Sequence, residues 1–87
     1  MDTTNIPTGN VSTPRELTFG EKAVGLTFNP GGNPAVDLVK KQYAEIIDAL
    51  YQSKLTSDAE KARLYSIAIT EAQAAQMWAV KAITWQS

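Results

Sequence analysis

The part of the chain best suited to bind a ligand is the loop Asn29-Pro30-Gly31-Gly32-Asn33, which leads into a predicted helix beginning at Pro34. Exposed backbone N–H groups at a helix start, together with the helix dipole, favour a phosphate or a carboxylate. The Lys-Ser/Thr pair that follows such a loop in nucleotide hydrolases is missing, so a P-loop is excluded. Gly-Gly before a helix is also an ordinary turn, and both interpretations stay open.

Two aromatic residues, Phe19 and Phe28, flank this loop in a segment with little regular structure. They could stack on bases, a contact worth roughly 1–3 kcal/mol per base. Packing in a core or an interface is an equally good interpretation. Isolated cations that could neutralise a ligand phosphate through charge-assisted hydrogen bonds are Arg15, Lys22, Arg63 and Lys81.

The composition argues against catalysis. The 87 residues include no histidine and no cysteine, which removes the commonest general base, the thiol nucleophile and the usual zinc ligands. We therefore expect no enzyme, no metal site and no cofactor. Glu71, within an apolar helix, is conceivable as a general acid, but more often such a residue is a hydrogen-bonded interface residue. The net charge of −1 argues against binding polymeric nucleic acid.

The chain divides into two predicted segments. Residues 1–14 are mostly polar, with only Ile6 and Val11 as scattered apolar side chains after Met1, and are predicted to form a flexible N-terminal arm. Residues 15–87 are predicted to form one domain. No apolar run reaches the roughly 20 residues that span a bilayer, and the first residues lack a basic and then apolar signal region. We therefore expect no membrane association and a cytoplasmic location.

The expected fold class is all-α, with a short N-terminal helix and a loop followed by a two-helix antiparallel hairpin. Thr18-Phe19-Gly20-Glu21 has the form of a capping box and predicts a helix over about 19–24, closed by Gly25. A second helix is predicted from Pro34 to about Ser53, a turn over 54–57, and a third helix to about Thr84. Ser57 is the predicted N-cap of that third helix.

Apolar periodicity predicts an oligomer. The second helix carries a heptad seam formed by Val36, Val39, Tyr43, Ile46 (with Ile47) and Leu50. The third has an alanine seam that begins at Tyr65 and continues through Ala68, Ala72, Ala75, Ala79 and Ala82. Beside it lies a second apolar stripe that includes Leu64, Ile67, Trp78 and Trp85. Since a hairpin provides only one helical neighbour, another subunit must cover the remaining face. A monomer whose arm folds over that face is the alternative.

Two runs of sequence resemble a phage protein family. The first is RELTFGEKAVGLTFNPGGNP at 15–34, followed by Val36 and Asp37. The second comprises EAQAA at 71–75, MWA at 77–79 and KAI at 81–83. Together they resemble the small bacteriophage anti-CBASS signal sponges, and the hairpin domain that these share with the phage sponge inhibiting Thoeris defence. The similarity covers about residues 15–84.

The resemblance implies a function. Such sponges have no enzymatic activity and sequester cyclic oligonucleotide messengers in the cytoplasm of the infected bacterial host. They are helical hexamers, with pockets for cyclic dinucleotides or cyclic ADP-ribose isomers between paired subunits and separate pockets for cyclic trinucleotides. Phe19 and Asn29 correspond to nucleotide-contacting residues of the Thoeris-inhibiting relatives, and Arg63 is the candidate trinucleotide-binding arginine. In some relatives a lysine stands in place of Asn29.

Three hypotheses follow for the function. The first is an oligomeric sponge whose candidate ligand-binding residues are Arg15, Phe19, Phe28, Asn29, Pro30, Gly31, Gly32, Arg63 and Lys81. The second is a structural oligomerisation or assembly hairpin with no nucleotide ligand. The third, an enzyme that cleaves the same nucleotides, is disfavoured by the missing histidines.

Overall fold

The computed structural model describes residues 15–86, which form three α-helices and no strand. Helix α1 spans Phe19–Ala23, α2 spans Pro34–Leu55 and α3 spans Ala59–Thr84. Helix α2 packs against both α1 and α3. The predicted all-α class, with a short helix and loop before a helical hairpin, is confirmed for this part of the chain. The predicted arm over 1–14 lies outside the described residues.

The predicted capping box forms at the start of α1. The Thr18 hydroxyl accepts a hydrogen bond from the Glu21 backbone N–H at 3.1 Å, and the Glu21 carboxylate accepts one from the Thr18 N–H at 2.9 Å. Two orphan donors of the first turn are thereby satisfied. The chain leaves the helix through Gly25, whose φ of 62° lies in the left-handed region that glycine adopts without strain.

Helix α2 begins as predicted and ends later. The Asn33 side chain accepts hydrogen bonds from the N–H groups of Ala35 and Val36, and Pro34 occupies the first helical position. The helix continues to Leu55, two residues beyond the expected end. The turn into α3 is correspondingly shorter, occupying only residues 56–58.

The predicted N-cap of α3 is wrong by one residue. The Asp58 side chain accepts from the Lys61 N–H at 2.9 Å and is the cap. Ser57 instead donates its hydroxyl hydrogen to the Ser53 carbonyl at 2.7 Å. Because α2 extends to Leu55, Ser57 lies close enough to satisfy a carbonyl at the end of α2. The end of α3 at Thr84 agrees with the prediction.

A small core joins the three helices. It consists of the buried side chains Val24, Ala44, Ile47 and Ile69, and Ala72 of the predicted alanine seam packs against it. The predicted heptad seam is partly wrong on α2, because Ile46 is 51% exposed whereas its neighbour Ile47 is fully buried. The buried residues of α2 lie along one face of the helix at intervals of 4, 4 and 3 residues. They are Val36, Lys40, Ala44 and Ile47.

Helix α1 approaches α2 closely because residue 20 has no side chain. Gly20 is buried, and a Cβ atom placed there would overlap the carbonyl oxygen of Ala44 and lie 2.9 Å from a carboxylate oxygen of Asp48. Real side chains do not tolerate such contacts, so glycine is required at this crossing. Within the described residues, no helix is long and apolar enough to span a membrane.

Candidate functional site

The carboxylate of Asp48 fixes α1 to α2. One oxygen accepts a hydrogen bond from the Gly20 backbone N–H at 2.7 Å, and the other accepts from the Thr18 hydroxyl at 2.7 Å. Carboxylates on a helix surface are usually solvated, but both oxygens of Asp48 are engaged by α1. Since these two bonds bracket residue 19, they set the position of the Phe19 side chain.

Phe19 lies on an aromatic partner that the sequence interpretation did not single out. Its ring stacks on that of Tyr51 with centroids 4.1 Å apart and planes 5° from parallel. Phe19 remains 42% exposed. The signal available in the sequence was the three-residue spacing from Asp48 to Tyr51, which places both on the face of α2 that meets α1. The result is a stacked aromatic pair at the protein surface.

The guanidinium of Arg15 is engaged by Glu21. Two hydrogen bonds, of 2.7 and 2.5 Å, join the two groups in a bidentate pair. The bonds from Arg15 and from the Thr18 backbone lower the pKa of Glu21 to about 2, and the same pair raises the pKa of Arg15. Arg15 therefore completes the start of α1, and it can meet a ligand phosphate only by sharing or leaving Glu21.

The loop before α2 uses several of its N–H groups internally. Gly31 and Gly32 have φ values of 83° and 63°, so both positions need glycine-like freedom. The Gly32 N–H donates to the Asn29 carbonyl at 2.9 Å. At the helix start, the side-chain oxygen of Asn33 already accepts the bonds of two N–H groups. The loop therefore offers fewer donors to an anion than its sequence suggests.

The side chain of Asn29 holds the loop together. Its amide nitrogen donates to the Asn33 carbonyl at 2.9 Å and to an Asp37 carboxylate oxygen at 2.8 Å. Its amide oxygen accepts from the Asn33 N–H at 3.2 Å. Both amide hydrogens are thus committed within the loop, and the second lone pair of the oxygen remains for a further donor.

A groove next to this loop brings three candidate residues together. Phe28, Asn29 and Pro30 form one wall, while Val80 and Thr84 of α3 lie opposite. The groove has a volume of about 280 Å³, and Phe28 is 71% exposed. The lining also includes Lys40, which is 4% exposed and is not one of the candidate residues named from the sequence.

Lys81 lies between the two tryptophans of α3. Its ammonium is 5.2 Å from the ring centroid of Trp78 and 5.6 Å from that of Trp85. Both rings are about two-thirds exposed, at 68% and 65%. Such distances are typical of cation–π pairs, so Lys81 and the two rings form one exposed unit on the last two turns of the chain.

Arg63 occupies a separate place near the start of α3. It forms an ion pair with Glu60 at 2.8 Å, and this pairing lowers the pKa of Glu60 and raises that of Arg63. A groove of about 390 Å³ runs from Arg63 along α3 to Glu71. Glu71 is exposed, and no cluster of potential metal ligands occurs among the described residues.

The candidate residues therefore fall into separate groups on a single chain. Arg15 and Phe19 lie at α1, the loop residues 28–32 lie between α1 and α2, Lys81 lies late in α3 and Arg63 lies early in it. Phe19 is not among the residues that line the loop groove.

Most of the chain matches a known protein family. The family model described as Acb2/Tad1, hairpin domain, matches residues 21–84. This range contains the loop, all of α2 and all of α3, whereas Arg15 and Phe19 precede it. No curated protein and no solved structure matches the chain significantly.

Proposed function

The chain belongs to the Acb2/Tad1 hairpin domain family, and on that premise we propose that it is a phage anti-defence sponge for cyclic nucleotide signals. It binds cyclic dinucleotides, cyclic trinucleotides or cyclic ADP-ribose isomers and holds them intact, so that CBASS or Thoeris effectors in the infected host cytoplasm are not activated. The observation that carries this proposal is the family match over residues 21–84.

The surface chemistry supports such a ligand. A cyclic nucleotide presents purine faces and phosphates, which require aromatic rings, polar loop atoms and a few cations. The Phe19–Tyr51 pair supplies a stacking surface, and the loop groove places Phe28 beside the polar groups of Asn29. Arg63 and Lys81 provide exposed positive charge elsewhere on the chain.

The size of the loop groove favours a site shared between subunits. Its volume of about 280 Å³ lies at the lower limit of ligand pockets, which span roughly 300–1,000 Å³. A second copy of the chain would add the missing wall. We therefore propose that the dinucleotide-type ligand is enclosed between two subunits, with Phe19, Phe28 and Asn29 near it.

The exposed apolar side chains support assembly of several copies. The described chain buries few large apolar residues and leaves many in solvent, a distribution typical of association surfaces. The large apolar side chains that are more than 40% exposed are those of Phe19, Phe28, Leu38, Ile46, Leu55, Leu64, Ile67, Met77, Trp78 and Trp85. A homohexamer, as the family resemblance implies, is the proposed assembly.

Arg63 is proposed to contact a cyclic trinucleotide at a second site. Its guanidinium is exposed and forms an ion pair with Glu60, which lies one turn earlier in α3. A ligand phosphate can replace that carboxylate, since both are acceptors for the planar guanidinium fork. The groove from Arg63 towards Glu71 would then lie against neighbouring subunits.

Calorimetric titration of the full chain with one member of each ligand class tests the proposal. Suitable probes are cyclic di-AMP, cyclic tri-AMP and cyclic ADP-ribose. We expect at least one to bind with a micromolar or lower Kd and to be recovered intact after the complex is heated. Failure of every class would leave the structural assembly hairpin as the better account, and recovery of a cleaved product would indicate an enzyme.

A further inference from the structure

Lys40 is the one charged side chain that is buried among the described residues. It lies in the second turn of α2 and is 4% exposed, whereas the adjacent Lys41 is exposed. An ammonium group removed from water is strongly destabilising unless hydrogen bonds replace its hydration. Its burial therefore requires specific acceptors.

Those acceptors are two backbone carbonyls of the segment between α1 and α2. The Lys40 ammonium donates to the Gly25 oxygen at 2.9 Å and to the Phe28 oxygen at 2.5 Å. It also lies 5.5 Å from the centroid of the Phe28 ring. No carboxylate forms an ion pair with it within the described part of the chain.

The two carbonyls belong to the turn of residues 25–28, and the Lys40 ammonium binds both of them. The Phe28 N–H donates to the Gly25 oxygen at 2.9 Å, so the same oxygen receives both the turn hydrogen bond and the ammonium. The Asp37 carboxylate, three residues earlier on α2, accepts a hydrogen bond from the Asn29 side-chain amide. Positions three apart lie on one helical face. Helix α2 thus holds the loop at two successive points, through Asp37 and through Lys40.

We propose that Lys40 is a positioning residue, which fixes Phe28 and Asn29 for ligand binding by holding the backbone of the loop and does not itself contact a phosphate. This proposal rests on the proposed function, since it concerns the dinucleotide-type site. Two of the three ammonium hydrogens point to main-chain carbonyls, and the side chain is almost entirely covered. A phosphate-binding lysine would instead present its ammonium to solvent.

The test compares Lys40→Met with Lys41→Met, which remove the same charge from neighbouring buried and exposed positions. Amide hydrogen exchange is measured on the ligand-free protein, and titrations use cyclic di-AMP and cyclic tri-AMP. For Lys40→Met we expect about tenfold faster exchange over residues 25–33 and about tenfold weaker binding of cyclic di-AMP. Cyclic tri-AMP binding, and every property of Lys41→Met, should stay within about twofold of the wild type. Native mass spectrometry and thermal unfolding establish that the variants assemble and fold.

Chemical restoration of the ammonium separates its role from that of the side-chain shape. Because the chain has no cysteine, the Lys40→Cys variant carries a single thiol. That thiol is alkylated in the unfolded variant, with either 2-bromoethylamine or 1-bromopropane, and the product is then refolded. The first reagent restores an ammonium at nearly the original length, and the second leaves a neutral chain of similar size. We expect only the first product to regain slow loop exchange and tight cyclic di-AMP binding.

Three results would overturn the proposal. They are unchanged loop exchange in Lys40→Met, equal loss of both probes, and a shallower salt dependence of binding, which would indicate a lost phosphate contact. If the wild type binds none of cyclic di-AMP, cyclic tri-AMP and cyclic ADP-ribose, the proposed function fails together with the binding role of Lys40. If the wild type binds and Lys40→Met binds equally well, only the positioning role fails.

Discussion

The rings of Phe19 and Tyr51 lie parallel, 4.1 Å apart, although one belongs to the five-residue α1 and the other lies near the end of α2. A helix of five residues is not stable alone. Its orientation is set by the Asp48 carboxylate, which binds the Thr18 hydroxyl and the Gly20 N–H. The two rings therefore form a preformed stacking surface, to which a purine can add without first ordering the side chains.

Removal of the Tyr51 ring is expected to weaken binding at the dinucleotide-type site. Tyr51→Ala deletes the partner that holds the Phe19 ring, and we expect about tenfold weaker binding, within the range of roughly 1–3 kcal/mol for a base–aromatic stack. Tyr51→Phe keeps the stack and is expected to bind like the wild type. Titration with cyclic di-AMP measures both. Equal affinities for Tyr51→Ala and Tyr51→Phe would show that the pair does not contribute to the site.

Gly20→Ala is expected to destabilise the protein although alanine is the better helix former. The new Cβ would overlap the Ala44 carbonyl, and overpacking of this kind destabilises by roughly 1–3 kcal/mol. Ala49→Gly, at an exposed position of α2, calibrates helix propensity alone, which is about 1 kcal/mol between the two residues. Urea unfolding followed by circular dichroism gives both values. A Gly20→Ala variant as stable as the wild type would refute the close approach of α1 to α2.

Lowering the pH should destabilise the first turn of α1 by protonating Glu21. Its pKa falls from 4.5 to about 2 in the folded chain, so the folded state binds a proton there less readily than the unfolded state. The stabilisation is complete above pH 4.5 and is lost as the pH falls from 4.5 through about 2. We expect Glu21→Gln to remove this part of the pH dependence, whereas Glu16→Gln, at an exposed side chain, should retain it. Amide chemical shifts of Thr18 and Gly20 report the change, and identical titrations in both variants would contradict it.

Arg63→Ala is expected to weaken trinucleotide binding, whereas replacement of its partner Glu60 is not. Arg63→Ala removes the cation and should weaken cyclic tri-AMP binding by about tenfold. Glu60→Gln removes the carboxylate that competes for the guanidinium, and it should leave binding unchanged or make it tighter. Cyclic di-AMP serves as the control ligand. Equal loss of both ligands in Arg63→Ala would show that Arg63 has been assigned to the wrong site.

Local sequence signals predicted the helices well. The capping box at Thr18 and Glu21, Asn33 before Pro34, and the left-handed Gly25 act through neighbours within a few residues, and all were recognisable. The N-cap of α3 was misplaced because Ser57 and Asp58 are both good caps. The choice between them depended on how far α2 extends, which propensity does not determine.

The contacts that position the candidate site depend on pairs distant in sequence. Asp48 caps a helix 28 residues away, and Lys40 reaches a carbonyl 15 residues away. In the sequence both resemble ordinary solvent-facing charges on a helix. Only the packing of α1 and its following turn against α2 gives them hydrogen-bond partners. The apolar pattern of α2 indicated a seam but assigned Ile46 to it, because two adjacent isoleucines fit the same spacing.

The central claim is that this chain captures a cyclic nucleotide and leaves it unchanged. Native mass spectrometry during a titration with cyclic di-AMP, cyclic tri-AMP and cyclic ADP-ribose tests it most directly, because subunit number and bound ligand mass are read together. The account predicts an oligomer that gains the mass of intact ligand at micromolar or lower concentration and releases the same molecule on heating. An oligomer that gains no ligand mass from any of the three probes, or that releases a hydrolysed product, would contradict it.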